Sequence, residues 1–233
     1  MLSERISSKA MLVHHHQHTG MVSVTSHDVI ELDSGKGFTL GAGRAFSPSG
    51  KADLVNLLLN EDTKAEFLQE KFLICSRNLL VWYRKPAPQQ ISFSGEAVTV
   101  PLPGLIFIAA AGQSLRCFAY KGSDRPTPDT ELFYPPLGNV YREGTFCTGN
   151  ANVPRDVSVQ NIPAWEGFVL ESDNTHQGSV MPVRKCRSFK DQIAFMRQLS
   201  EKGAKRFPAR ELVPYTICGA TGTLGQAVER GEQ

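Results

Sequence analysis

Hydrophobic and polar positions along this chain switch between strand and helix periodicities. Over "MLVHHHQHTGMVSVTSHDVIEL" they alternate, with Val and Thr frequent, so residues 11–16 and 21–26 are expected as two short strands. The glycines and serines of "GKGFTLGAGRAFSPSG" predict a loop. "KADLVNLLLN" then spreads Leu54, Val55, Leu57, Leu58 and Leu59 over a broad apolar helical face, and residues 62–70 are expected to continue as a second helix. "KFLICSR" and "NLLVWYR" read as strands joined at Arg77-Asn78, and "QQISFSG", "GLIFIAAA" and "QSLRCFAYKG" add three more. Short links at regular spacing predict an antiparallel meander. A proline-rich connection, "DRPTPDTELFYPP", runs from Asp124 to Pro136.

Residues 150–185 carry no clear period and read as a long irregular stretch. "SFKDQIAFMRQLSEKG" has the strongest helical pattern. Ser188 is an expected N-cap with Asp191 three residues on, Phe189, Ile193, Met196 and Leu199 follow one face, and Gly203 ends it. "PARELVPY" is expected as a final short helix. The order is helix, antiparallel meander, cysteine-bearing loop, helices, which is an α+β arrangement.

Composition narrows the function. The 233 residues, 41% hydrophobic and 21% charged, can bury a substantial core without disulfides or metals. The net charge is +2, with no basic stripe interleaved with aromatics, so nucleic-acid binding is not expected. The longest apolar run, "PLPGLIFIAAAG", is too short to span a bilayer. The N-terminus lacks the apolar centre of a signal peptide, so no membrane association and a cytoplasmic location are expected. His14, His16 and His18 would share one face of a strand, but no carboxylate or cysteine lies near them in sequence. A solvated strand end is expected, and no metal. "GATGTLG" at 219–225 looks like a dinucleotide-binding turn, yet only eight residues follow Gly225, too few for a βαβ unit. That segment is expected to be a flexible tail, and no cofactor is expected.

The five cysteines, Cys75, Cys117, Cys147, Cys186 and Cys218, are odd in number, widely spaced and without a CxxC, which predicts free thiols. Cys75 and Cys117 lie inside strands and are expected in the core, as is Cys218. Cys186 sits among Arg184, Lys185 and Arg187 just before a helix start, a setting that favours thiolate. It lacks an obvious set of substrate-orienting groups. Cys147 is set differently, within "LGNVYREGTFCTGN" at 137–150, on a Gly- and Asn-rich loop after Pro135-Pro136. A thiol there contributes little to packing. Asn139 precedes it by eight residues and Gly144 by three.

That spacing resembles ubiquitin-conjugating enzymes, in which glycine and the catalytic cysteine follow the Asn of a His-Pro-Asn tripeptide by five and eight residues. Phe146 supplies an apolar residue before the cysteine, and Tyr134-Pro135-Pro136 leads into the motif. "LGAGRAFSP", "LLVWY", "PLPGLIF", "RPTPDTELFYPPLGNVYREGTFCTGN" and "SDNTH" together resemble the PRTRC system protein B family, over roughly residues 38–215. That family is a bacterial branch of ubiquitin-conjugating-enzyme-like proteins, also called prokaryotic family D. Two departures stand out. Leu137-Gly138 replaces His-Pro, and the family's tryptophan soon after the cysteine has no near match, Trp165 lying eighteen residues on.

The resemblance implies a ubiquitin-conjugating-enzyme-like fold, an antiparallel meander flanked by helices with extra N-terminal strands. It divides the chain into an N-terminal β extension (1–45), a ubiquitin-conjugating-like domain (46–215) and the tail (216–233). It implies a transferase carrying a ubiquitin-like protein as a thioester on Cys147, with a ThiF-type activating protein, a small ubiquitin-like protein and a JAB-type peptidase as partners. A reacting thioester develops an oxyanion, which a neighbouring side-chain amide can stabilise, and Asn139 is the expected donor. Asn139 could instead tie its own loop. His176 is expected to assist proton removal, and Tyr141 and Asn150 to line the substrate groove. A non-catalytic adaptor that binds the ubiquitin-like protein, and a cysteine hydrolase using Cys147 and His176, are the alternatives.

Overall fold

A computed structural model describes residues 8–17, 19–32, 37–46, 69–112, 114–149 and 151–230. The helices expected over 51–60 and 62–70 fall almost entirely outside these residues, and His18 and Asn150 fall outside them as well. The chain divides into two compact units, Met1–Glu66 and Phe67–Gln233.

In the first unit, β1 (Lys9–His15) and β2 (Val22–Glu31) form an antiparallel hairpin in which Val13 faces Val24. Both strands run longer than expected. The stretch expected to be a loop instead adds β3 (Phe38–Leu40) and β4 (Arg44–Ala45), each paired with β2. His14 Nε2 lies 2.8 Å from Thr25 Oγ1 and His16 Nε2 3.2 Å from Ser23 Oγ, so both imidazoles meet hydroxyls of the facing strand.

The second unit is built on an antiparallel sheet of β5 (Phe72–Cys75), β6 (Leu79–Arg84), β9 (Gly104–Ala110) and β10 (Arg116–Tyr120), in the order β10-β9-β6-β5. β6 and β9 are apolar along nearly their whole length because both faces are covered. The expected meander needs one correction. β7 (Ala87–Phe93) leaves this sheet and pairs only with β8 (Glu96–Leu102), an unforeseen strand. Ser94 and Gly95 join them with φ of +52° and +82°, the left-handed pair that a two-residue hairpin of matching twist requires. The hairpin is thus an excursion between β6 and β9.

Among the described residues, two longer helices cover the unit. The expected helix forms as α2 (Phe189–Glu201). Ser188 Oγ accepts from Asp191 N–H at 3.1 Å, and the Asp191 carboxylate accepts from Arg187 N–H at 3.0 Å. Gly203, at φ +58°, ends it. The stretch read as irregular contains α1 (Ile162–Leu170), with Pro163 in its first turn. An interior glycine and a nearly all-apolar sequence hide its period. Trp165 stacks on Trp82 at 5.5 Å, and Trp82 on Phe107 at 5.1 Å, which ties α1 to the centre of the sheet. "PARELVPY" makes only a single 3-10 turn, Ala209–Glu211.

The tail is the largest correction. Residues 216–230 are folded. β11 (Thr216–Ile217) and β12 (Ala220–Thr221) close around Cys218 and Gly219, both at positive φ. A capping box of Thr223 and Gln226 then starts α3 (Leu224–Glu229). Leu132, Thr130 and Pro128 hydrogen-bond to this segment through Gly222, Leu224 and Gly225, and the buried Arg116 guanidinium donates to Ala227 O at 2.9 Å. The segment holds because it completes the core with Leu224 and Ala227, 5% and 0% exposed.

This packing predicts that removing residues 216–233 destabilises the protein, and that Leu224→Ala alone costs about 2–5 kcal/mol, the range for truncating a buried leucine. Urea unfolding of both variants checks it. A segment that merely frayed would leave the midpoint unchanged.

Candidate functional site

The eight-residue spacing from Asn139 to Cys147 is the register of a β-hairpin. Cys147 N–H donates to Asn139 O at 2.9 Å, Val140 bridges Phe146, and Tyr141 N–H donates to Thr145 O at 2.8 Å. Gly144 closes the turn at φ +82°, its N–H donating to Tyr141 O. A Cβ there would come within 2.4 Å of the Phe118 ring, so only glycine lets the turn lie on the core. Side chains alternate across the hairpin. Val140 (0% exposed) and Phe146 (7%) point into the core, and Cys147 falls on the other face with Tyr141 and Asn139.

Both edges of the hairpin are held. On one, Arg116 bridges Thr145 and Cys117 N–H donates to Gly144 O at 2.9 Å, which docks it on β10. On the other, Val140 bridges Gly178 in parallel, and Ser179 N–H donates to Val140 O at 3.0 Å. Gly178 must be glycine, since a Cβ would lie 2.0 Å from Val140 O.

Asn139 adopts φ +58°, which asparagine tolerates better than most residues. Its amide N–H donates to His176 O at 2.7 Å. Its Oδ1 accepts from the N–H groups of Thr175 and His176 at 3.1 and 3.3 Å, and its Nδ2 donates to Asp173 O at 2.9 Å. The carboxamide therefore latches the 173–176 segment to the thiol hairpin. One Nδ2 hydrogen has no partner among the described residues.

Sequence reasoning missed Asn174. It is 2% exposed, and its Oδ1 accepts from Gly138 N–H at 2.6 Å while its Nδ2 donates to Ser92 O at 2.9 Å. Asp173 accepts from Ser92 Oγ and Gly95 N–H, so the same segment also holds the β7–β8 turn. The string "SDNTH" carried the signal, but only its histidine stood out there. Asn174 also accounts for Leu137-Gly138. Leu137 is fully buried, and a side chain at 138 would meet Asn174, His176 O and Phe189 within 2.9 Å. Proline at 138 would lack the N–H that Asn174 holds.

The His176 imidazole is exposed and lies 3.1 Å from Thr175 Oγ1, and no hydrogen bond joins it to the Cys147 sulfur among the described residues. The structure thus brings together Cys147, Asn139 and Tyr141, and brings His176 in through its backbone. Tyr141, expected as a groove residue, is also the leading influence on the ionisation of the thiol. Its hydroxyl first, and the Gly149 N–H second, hold the Cys147 pKa below the ordinary thiol value, against a smaller rise from burial. The thiolate in turn raises the Tyr141 phenol.

The other thiols separate from Cys147. Cys186, expected to be activated by its cationic neighbours, is buried and pushed up to about 11, chiefly by that burial. Lys185 turns its ammonium onto the Phe195 ring at 3.8 Å. Cys117 is fully buried and raised well above the ordinary value for the same reason. Cys75 and Cys218, expected in the core, are both exposed, Cys75 at the end of its strand and Cys218 in the β11–β12 turn.

A family model described as prokaryotic E2 family D matches residues 52–215, a span that includes the thiol hairpin and the 172–179 segment. No curated protein and no solved structure matches the chain. No helix among the described residues is long and apolar enough to cross a membrane.

The lowered thiol pKa predicts thiolate chemistry at Cys147 that persists to lower pH than for an ordinary cysteine. Tyr141→Phe removes the leading stabiliser of the charged form, so the inflection in the pH profile of Cys147 alkylation should move upward and neutral-pH alkylation should slow. Mass-resolved iodoacetamide labelling across pH measures this. An unmoved inflection would remove Tyr141 from the site.

Proposed function

The chain belongs to prokaryotic E2 family D, and from that premise we propose that it is a thioester-forming transferase carrying a ubiquitin-like protein on Cys147. The family gives the chain a role related to ubiquitin-type conjugation. The observation that carries the finer reading is the thiol's setting. Of the four thiols besides Cys147, two are raised by burial, while Cys147 is held toward thiolate at the edge of a hairpin fastened on both sides. A nucleophile is favoured by a lowered pKa, by exposure and by a fixed position, and Cys147 has a lowered pKa, is partly exposed and sits in a fastened hairpin. The antiparallel sheet with covering helices is compatible with a ubiquitin-conjugating-enzyme-like fold, and the β extension, conjugating domain and C-terminal segment are its proposed divisions.

In loading, the Cys147 thiolate attacks the C-terminal acyl group of the ubiquitin-like protein held by a ThiF-type activating protein. The new C–S bond forms as the activating protein's leaving group departs. In discharge, an acceptor amine or thiol attacks the thioester carbonyl, and the C–S bond breaks. The free hydrogen of Asn139 Nδ2 is available to the oxyanion of that second step. Tyr141 borders the acceptor, and Asn150, which follows Gly149 in the sequence, is the second residue expected in the groove. His176 positions the loop through its backbone, and its exposed ring is open to accept the acceptor's proton. A JAB-type peptidase fits as the protein that reverses the modification. The hydrolase reading has no Cys147–His176 hydrogen bond to rest on among the described residues.

With the activating protein, the ubiquitin-like protein and ATP, the chain should gain an adduct that thiols release. Cys147→Ser should convert it to a thiol-resistant ester or abolish it. Denaturing gels with and without reductant decide this, and an unchanged adduct in Cys147→Ala would move the site elsewhere.

Asn139→Ala should leave the charged thioester detectable but slow its discharge to an amine by at least about tenfold, the low side of a lost oxyanion donor. The variant should also unfold at lower temperature, because the 173–176 latch is lost. Single-turnover discharge separates the two effects. Equal discharge rates at a temperature where both proteins are folded would leave Asn139 a latch alone.

A further inference from the structure

A second concave site lies away from the thiol. β10 carries Arg116 at its hairpin-docking end and Tyr120 at the other, roughly 13 Å apart along an extended strand. Around Tyr120 opens a pocket of about 450 Å³ between the ends of β9 and β10 and residues 205–212. This is the size range of small-molecule sites. It shares no residue with the Cys147 site.

Its chemistry is one-sided. Lys85, Lys121, Lys205 and Arg206 stand around it, and no acidic residue lines it. Lys85 is 3.3 Å from Glu70 outside the pocket and the Lys121 ammonium lies 4.3 Å from the Phe133 ring centroid, while Lys205 and Arg206 have no ion-pair partner among the described residues. Lys121, Lys205 and Arg206 repel one another with no carboxylate lining the pocket, and a multiply charged anion relieves that repulsion. An arginine among them supplies the forked donor that matches phosphate oxygens.

The floor is apolar and aromatic, made by Phe207 and the Tyr120 ring among others. Gly104 allows the ring to lie there, since a Cβ would come within 2.2 Å of it. The Tyr120 hydroxyl is buried and has no hydrogen-bond partner among the described residues. Buried hydroxyls are almost always paired, so an orphan bordering a cavity marks a bond that an occupant completes. Burial raises the phenol to about 12, so it stays protonated and able to donate.

We propose that this pocket binds a small phosphate-bearing molecule with a planar apolar body, a nucleoside di- or triphosphate by class. The phosphates meet Lys121, Lys205 and Arg206 at the rim, and the base lies against Phe207 and the Tyr120 ring. Neither thioester formation nor discharge is routed through this site.

Isothermal titration of the full chain with ADP tests it, alongside pyrophosphate and a polyglutamate peptide. ADP should bind saturably below about 1 mM. The surface double variant Lys205→Glu/Arg206→Glu should weaken ADP by at least about tenfold. Tyr120→Phe, which keeps the ring, should weaken it by about threefold or more. Cys147 alkylation rates should be unchanged in both, which separates failure here from failure of the transferase reading. No ADP binding, or binding indifferent to both variants, overturns the proposal. Pyrophosphate binding as tightly as ADP would remove the planar body from it. Peptide binding without ADP binding would replace the ligand class with an acidic protein segment.

Discussion

The amide of Cys147 donates to the carbonyl of Asn139 at 2.9 Å, and this bond sets the face on which each hairpin side chain falls. Strand geometry has a period of two, so a slip of one residue would turn the sulfur into the core and Phe146 out to solvent. With the register held, Val140 and Phe146 are buried and the thiol lies beside Tyr141. The same register keeps Asn139 in the left-handed region, where its carboxamide reaches the 173–176 segment. The setting of the thiol and the order of its loop thus share one backbone constraint.

The hairpin is then fastened by groups whose roles depend on being small or paired. Gly144 lies against Phe118 and Gly178 against Val140, both without room for a Cβ. Asn174 is buried, and its carboxamide is spent on Gly138 and Ser92, so it links the thiol loop to the β7–β8 hairpin. This accounts physically for the loss of His-Pro. Leu137 contributes burial where a histidine would bring a polar ring, and Gly138 supplies an N–H that proline lacks. The loop is held by different bonds, not left loose.

Electrostatics distinguish thiols that look alike in sequence. Cys186 has three cationic neighbours in the chain, yet burial outweighs them, and Lys185 spends its charge on an aromatic face. Cys147 has no cation beside it in sequence and is stabilised by a hydroxyl and a backbone N–H. Desolvation acts against charge wherever water is excluded, whereas a hydrogen bond acts only where geometry delivers it. Local charge in the sequence was therefore a poor guide to which thiol is held toward its charged form.

The sequence by itself determined the features that rest on local periodicity and spacing. These are the strands around Leu12, Val81, Phe107 and Phe118, the helix begun by Ser188 and ended by Gly203, and the Asn139–Gly144–Cys147 pattern. Each is decided by residues within about one or two turns of one another. Tertiary structure alone decided the pairing of β6 with β9 across an inserted hairpin, and the folding of residues 216–230. It also decided α1, held by Trp165 on Trp82, and the burial of Asn174. All four depend on partners tens of residues away, and no local pattern records which apolar or polar surface will be there to receive a segment. The partner of Cys147 follows the same rule. Tyr141 stands six residues from it in the chain, and the hairpin register puts the two on one face.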